Sequence, residues 1–360
     1  MKAVVLAGGY GTRLRPLTET VPKPLLPVAG EPCIDYVLRS LASAGFREII
    51  VATSYMSDRV IKRIGDGHDY DASILYSFEA APAGTAGAVK NLEDFVDETF
   101  VVASGDVLAD VNLKKLYEGH AERGAVATMA LTRAEDTRQF GVVEVDADGR
   151  LVRFQEKPTP EEAFSNLINA GIYVFEPEVL TFVPRGKTFD FSKDLFPLLL
   201  EKEEALYGLE LEGLWMDIGR PEDLLQASLE VIRRTGTEAA LKGVKSEGPV
   251  LVSPDARISE GVEIQGPSYV GGGATLSKGV RVSRSCVYDG VFLDRNVDLQ
   301  DSIVMEGSLI GWRSRVRGSI LATACRVDED VEIIDSVLGD EMHVRAHSRL
   351  EGASLAPPAE

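Results

Sequence analysis

From Val252 onward a small aliphatic residue returns every six positions, at Val252, Ile258, Ile264, Val270, Leu276 and Val282. The register then slips and resumes at Leu293, Leu299, Ile310, Val316, Val327, Ile333, Val344 and Leu350. Small or aliphatic residues sit between them, among them Ala256, Val262, Ser268, Ala274, Val280, Ser308, Val331 and Ser348. An amphipathic helix repeats every 3.6 residues and a simple strand every two, so neither explains this period. A solenoid of short flat strands does, with one hexapeptide per side and three sides per coil. A β-sandwich with coincidental spacing would not keep six matches in unbroken order.

The chain ahead of the repeats has another texture. KAVVLA, EIIVATSY, SILYSFE and FVVASGD read as buried strands, and IDYVLRSLASAG, DRVIKRIGDG and AGAVKNLEDFV as helices. That alternation predicts a mixed, mainly parallel sheet built from βαβ units. FGVVEVDADGRLVRFQEKP predicts a hairpin turned at Asp148-Gly149. NAGIYVFE adds a strand, and LEGLWMDIGRPEDLLQASLEVIRR runs from a loop into a helix. The expected organisation is an α/β domain over 1–230, a linker over 231–248, the solenoid over 249–353 and a tail over 354–360.

Composition narrows the function. No run of 18 apolar residues is present, so no membrane span is expected. Met1-Lys2 leads straight into a strand, without the pattern of a signal peptide. Cys33, Cys286 and Cys325 are far apart and odd in number, which suits neither a disulfide framework nor a metal knuckle. The expected compartment is a reducing cytoplasm. A net charge of -19 argues against nucleic acid as a partner. If the ligand is an anion, the cations that hold it must be gathered locally.

The opening MKAVVLAGGYGTRLRPLT empties a strand into three glycines and a fixed cation. It is not a dinucleotide fingerprint, because counting from Gly9 the third glycine position is Leu14. No P-loop run exists either. The N–H groups of such a turn can cradle a polyphosphate, and Arg13 offers a planar fork of donors. For GGYG alone, a tight structural turn beside a surface arginine is an equal reading.

The longer run LAGGYGTRLRPLTETVPKPLLPVAGEP resembles, nearly throughout, the signature of the sugar-1-phosphate nucleotidylyltransferases. The resemblance implies a Rossmann-like nucleotidyltransferase domain, and the repeats resemble the left-handed parallel β-helix of hexapeptide-repeat proteins. It implies that Leu6, Ala7, Gly8, Gly9, Gly11 and Thr12 wrap the nucleotide, and that Arg13 and Lys23 hold the phosphates leaving as pyrophosphate. FEAAPAGTAGA resembles the base-recognition loop, with Glu79, Gly84, Thr85 and Ala86 near base and ribose. VVASGD and GLWMDIGRPED supply Asp106 and Asp217, the pair that in the family holds Mg²⁺, a cation that takes few protein ligands. FGVVEVD, FQEKP and NAGIYVF resemble the sugar-phosphate half, implying roles for Gly141, Glu156, Lys157, Asn169 and Gly171. Arg15 and Lys193 are expected to be peripheral cations. Arg220, where the family often has a neutral residue, is either one more cation near the phosphates or a surface charge.

The implied substrates are a nucleoside triphosphate and a sugar-1-phosphate. SFEAAPAGTAGA and GLWMDIGRPEDLL look most like the mannose-1-phosphate guanylyltransferase branch, whose members also carry hexapeptide repeats. A glucose-1-phosphate uridylyl- or thymidylyltransferase shares most of these motifs. Two other readings are a second, acetyltransferase activity in the β-helix and a non-catalytic regulatory relative. The first would need a histidine, and only His343 and His347 are at hand; the second typically loses residues that here are present. The expected role of the β-helix is homo-oligomerisation.

Overall fold

The computed structural model describes residues 1–79, 81–237 and 243–356. The chain divides into two compact units, Met1–Gly9 with Cys33–Asp217, and Tyr10–Pro32 with Ile218–Glu360. The division cuts through the expected 1–230 domain, because Tyr10–Pro32 of the signature segment and everything after Asp217 belong with the solenoid.

Among the described residues the first unit is built on a nine-stranded mixed sheet. Its strands are β1 (Lys2–Leu6), β2 (Glu48–Thr53), β3 (Ser73–Phe78), β4 (Phe100–Ser104), β6 (Ala127–Arg133), β7 (Gly141–Val145), β8 (Leu151–Glu156), β9 (Leu167–Phe175) and β10 (Leu206–Glu210). The main path runs β8-β7-β9-β4-β1-β2-β3, with β6 between β9 and β10. Pairs β1–β2, β1–β4 and β2–β3 are parallel. Ala3, Val4 and Val5 are fully buried, which is why these strands read as unbroken apolar runs rather than alternating ones. Helices α1 (Cys33–Ser43), α2 (Ser57–Ile64) and α3 (Thr85–Lys90) connect the parallel strands, and α4 (Leu113–Arg123) and α5 (Phe196–Glu201) follow later in the same unit. A separate two-stranded ribbon pairs β5 (Val107–Val111) with β11 (Gly213–Asp217), antiparallel. The expected hairpin is β7–β8. Its turn is closed by Asp146 Oδ1, which accepts from the backbone N–H of Asp148 and Arg150, with Gly149 at φ +83°.

In the second unit α6 (Pro221–Thr235) precedes the solenoid. Asp223 accepts from the backbone N–H of Gly219 and Arg220, closing the start of the helix. Among the described residues the solenoid has three parallel sheets of seven, seven and six strands, the left-handed β-helix anticipated from the hexapeptides. The slip in the six-residue period has a physical origin. Ile264 stacks on Val282, 18 residues on, but Val282 stacks on Leu299, 17 residues on, and that spacing then holds. One residue is lost at the corner before the second face. There the buried hydroxyls of Ser268, Ser285, Ser302, Ser319 and Ser336 each accept from the N–H of the residue 17 positions later. The shortened step puts Val287, Val304, Leu321 and Leu338 in the core, residues that a strict count of six passes over. Ser354 and Leu355, expected in a tail, instead pair with Val337 and Leu338 as the last strand. The expected linker is shortened at both ends, by α6 running to Thr235 and by the strand Lys245–Glu247. Residues 238–242 of that linker and 357–360 of the tail lie outside the described residues.

Candidate active site

In an open α/β sheet, ligands sit outside the carboxyl ends of the strands where the strand order reverses. Here that point lies between β1 and β4. β1 ends in Leu6, in register with Ser104 at the end of β4. Gly105 donates its N–H to Leu6 O at 2.8 Å, and Ala7 donates to Ala52 O at 2.7 Å. The glycine turn after β1 therefore leaves the sheet beside Gly105-Asp106. Ser54 Oγ donates to Gly8 O at 2.9 Å and fixes the turn. A Cβ on Gly9 would meet nothing within 4 Å, so the backbone at Gly9 is open to a ligand.

Asp106 and Asp217 are far apart in sequence and are brought together by the ribbon. Asp217 lies directly opposite Val107, the residue that follows Asp106, and both carboxylates are half-buried. Facing Cα atoms of an antiparallel pair are about 4.5–5.5 Å apart. Two carboxylates near one ribbon end are donors of the kind a divalent cation takes, with the rest of its shell left for phosphate oxygen and water. Among the described residues no cluster of three or more His, Cys, Asp or Glu offers a fuller metal cage.

Beyond β3, Gly84 has φ +76° and precedes α3. Ala86 and Gly87 donate their N–H groups to Phe189 O at 3.0 Å each, and Phe189 donates to Ala83 O at 2.9 Å. Thr85 Oγ1 accepts from Phe191 N–H at 2.9 Å, and Asp190 Oδ1 accepts from Thr85 N–H at 3.1 Å. Glu79, at the end of β3, has one carboxylate oxygen buried without a hydrogen-bond partner among the described residues, as does the Thr53 hydroxyl at the end of β2. Burial raises the Glu79 pKa above its ordinary value.

The other half lies on β7, β8 and β9. Gly141 is opposite Glu156, and a Cβ on it would come within 2.6 Å of the Phe154 ring and 3.0 Å of Glu156 Oε2. Lys157 is exposed, at φ +48°, with its N–H donated to Phe140 O at 2.9 Å. β9 has a register shift between Asn169 and Tyr173, and such bulges re-aim side chains. Asn169 Nδ2 donates to Tyr173 Oη at 2.9 Å, and its Oδ1 accepts from Gly171 N–H at 2.9 Å. Glu156 has its pKa raised by burial, opposed by the charges of Lys157 and Lys193 and a hydrogen bond with Ser192. Lys193, expected to be peripheral, thus stands beside Glu156, 3.8 Å from Asp190. Ser192, Tyr173 and Trp215, whose Nε1 donates to Ala170 O at 2.8 Å, were not singled out from sequence.

The remaining signature residues belong to the second unit. Gly11 has φ +61° and leads into a short turn at Thr12–Leu14. A Cβ on Gly11 would come within 2.9 Å of Thr18 Cγ2 and 3.1 Å of Lys23 Cβ, so here glycine is needed for packing as well as for its φ. Arg13 is exposed, and Lys23 is buried to 7% exposure. Arg220 is exposed, its guanidinium 3.8 Å from Glu222.

The family model described as "Nucleotidyl transferase" matches residues 2–234. The chain belongs to the nucleotidyl transferase family. A second model, "GlmU-like, C-terminal hexapeptide", matches residues 256–342. A mannose-1-phosphate guanyltransferase from Yarrowia lipolytica is 39% identical over 98% of this chain and 98% of its own length. A UTP–glucose-1-phosphate uridylyltransferase from Synechocystis is 33% identical over 98% of this chain and 96% of its own. Among solved structures, HddC from Yersinia pseudotuberculosis complexed with GMP-PN aligns with a TM-score of 0.55 and 26% identity, covering 64% of this chain and 99% of that one. As a member of this family the chain is a nucleotidyltransferase with a C-terminal hexapeptide β-helix. None of its described helices is long and apolar enough to cross a membrane.

Proposed function

We propose that this nucleotidyltransferase joins GTP and mannose-1-phosphate to give GDP-mannose and pyrophosphate, with Mg²⁺ as its metal. The observation that carries the choice of base is Glu79. A buried carboxylate oxygen without a donor is costly, and a ligand that supplies the donor recovers that cost. Guanine presents two adjacent donors, N1–H and the exocyclic amine, which one carboxylate accepts together. Uracil and thymine present a single N–H. Several relatives at this level of identity are mannose-1-phosphate guanylyltransferases, in line with that reading. The Synechocystis relative favours UTP and glucose-1-phosphate as the second reading.

A sugar-1-phosphate oxygen attacks the α-phosphorus in line as pyrophosphate departs. The nucleophile is already an anion, so catalysis is positioning and charge stabilisation. Leu6 to Gly9, with Gly11 and Thr12, wrap the phosphates along the backbone. Arg13 and Lys23 stabilise charge on the departing pyrophosphate. Thr85, Ala86 and Gly84 border the base and ribose. Glu156 and Asn169 accept and donate to sugar hydroxyls, Gly141 and Gly171 allow the sugar close to the chain, and Lys157 holds its phosphate. Mg²⁺ held by Asp106 and Asp217 would neutralise the α-phosphate and draw the two anions together.

The test is pyrophosphate release over a grid of GTP, UTP, dTTP, ATP and CTP against mannose-, glucose- and N-acetylglucosamine-1-phosphate, with Mg²⁺. A dominant GTP/mannose cell is expected. A dominant UTP/glucose cell overturns base and sugar together, and a silent grid overturns catalysis. The solenoid is proposed to join copies of the chain. A light-scattering mass of one chain would defeat that.

A further inference from the structure

The second face of the solenoid is covered. Val270, Val287, Val304 and Leu321 point into the solenoid core, so strand alternation sends Cys286, Tyr288, Ile303, Met305 and Ile320 outward. All five are nevertheless buried. What lies on them within this unit includes the signature segment. Tyr288 Oη donates to Pro27 O at 2.8 Å. Tyr269 packs at a tilt against Tyr288, ring centroids 5.4 Å apart, and leaves no room at Gly30, where a Cβ would come within 2.5 Å of the Tyr269 hydroxyl. Ala29 N–H donates to the buried Ser228 Oγ of α6 at 3.2 Å. At a second place, near the end of the solenoid, Thr20 Oγ1 donates to Asp340 Oδ2 at 2.6 Å. The other oxygen of Asp340 accepts from Thr323 N–H at 3.0 Å, which holds the carboxylate to its coil.

Lys23 lies in sequence between these two attachments, at Thr20 and at Pro27. Thr18 Oγ1 donates to Gly11 O at 2.8 Å, so the same stretch also fixes the glycine turn. We propose that Tyr288 and Asp340 are positioning residues for the phosphate-binding segment, and that the solenoid therefore serves nucleotide binding within a single chain. The proposal rests on the reading of Gly11, Arg13 and Lys23 as ligands of the triphosphate. A segment anchored at both ends presents Lys23 in one place and loses no further freedom when the anion binds.

The test compares Tyr288→Phe, Thr20→Val and Asp340→Ala with the wild-type full chain in both directions of the reaction. Each loses one hydrogen bond to the segment. The KM for the nucleoside triphosphate, and for pyrophosphate in reverse, is expected to rise about three- to tenfold. The KM for sugar-1-phosphate stays within about twofold, a split that general loosening would not produce. Thr20→Val combined with Asp340→Ala does no more than Asp340→Ala alone, since both remove one interaction. Asp301→Ala, which breaks the corner pair with Arg284, is the control and changes neither constant. The proposal is overturned if both KM values rise together, or if only the melting temperature moves. Should Asp340→Ala fail to fold, Tyr288→Phe removes one oxygen and carries the test. If the wild type turns over no substrate, the functional reading fails by itself. Calorimetry with inorganic pyrophosphate then decides the proposal, and equal affinity in wild type and Tyr288→Phe overturns it.

Discussion

Gly84→Ala tests the proposed nucleotide loop at a position where backbone atoms press on it. Gly84 has φ +76° and ψ 167°, a region essentially closed to alanine, at about 1–3 kcal/mol. The new methyl would come within 2.6 Å of Phe189 O, 2.8 Å of its carbonyl carbon and 2.9 Å of its nitrogen. These are backbone atoms and cannot swing aside. Keeping the loop attached costs the dihedral strain plus a severe overlap. Releasing it gives up the bonds from Ala86 and Gly87 to Phe189 O, from Phe189 to Ala83 O, from Thr85 N–H to Asp190 Oδ1 and from Phe191 N–H to Thr85 Oγ1, at about 1 kcal/mol each. Either way the attached loop loses roughly 3–5 kcal/mol. If the nucleotide needs the attached loop, that bias weakens its binding by roughly 10²–10⁴. The assay is initial rate against triphosphate at saturating sugar-1-phosphate, with thermal unfolding alongside. A KM for triphosphate within about twofold of wild type, in protein of unchanged melting temperature, would refute the reasoning.

Asp217→Ala should fold normally and lose roughly 10²–10⁴ in kcat, measured with folding checked by circular dichroism; near-normal turnover removes the metal reading. Burial raises the Glu156 pKa above its ordinary 4.5, so the folded chain holds this proton more tightly than the unfolded one. By linkage, this group opposes folding increasingly as pH rises from 4.5 through its folded value, and Glu156→Gln should flatten that part of a stability–pH curve. The KM for sugar-1-phosphate should also rise as pH falls through the raised pKa, and a profile shared by Glu156→Gln would exclude Glu156 as its source. Ser302→Ala removes the acceptor for Ser319 N–H inside the serine ladder and should cost about 1–3 kcal/mol in chemical denaturation, against no loss if the ladder were incidental.

The parallel strands were legible because burial on both faces leaves a continuous apolar run, as in Ala3, Val4 and Val5. The solenoid was legible because every coil repeats one requirement. Its slip was visible but not its place, since a corner one residue shorter, as between Val282 and Val287, leaves no aliphatic mark. The glycines could be found from sequence, but not what each excludes. Gly9 faces open space, whereas Gly84 and Gly30 are pressed by Phe189 and Tyr269 from far along the chain. The closeness of Lys193 to Glu156 was not legible, because one lies in the helical turn Phe191–Leu195 and the other at the end of β8. Tyr173 could not be found from sequence, since its hydroxyl meets Asn169 only beside the bulge in β9.

The covered face of the solenoid shows why the signature segment reads so poorly as local structure. Between Tyr10 and Pro32 it forms only short turns and a two-residue ribbon at Pro27–Val28 and Glu31–Pro32, too little to fix a conformation by its own hydrogen bonds. Its four prolines, Pro16, Pro22, Pro24 and Pro27 ahead of Gly30, remove donors and stiffen the backbone. The rest of the ordering comes from Tyr288, Ser228 and Asp340, more than 190 residues further on. A net charge of -19 repels a triphosphate at long range, so attraction must come from a few cations held still. Holding Lys23 on a segment pinned to a rigid stack of coils would meet that need without a basic surface, and it would tie the repeat, the feature most distant in sequence, to the residue proposed to face the leaving phosphates.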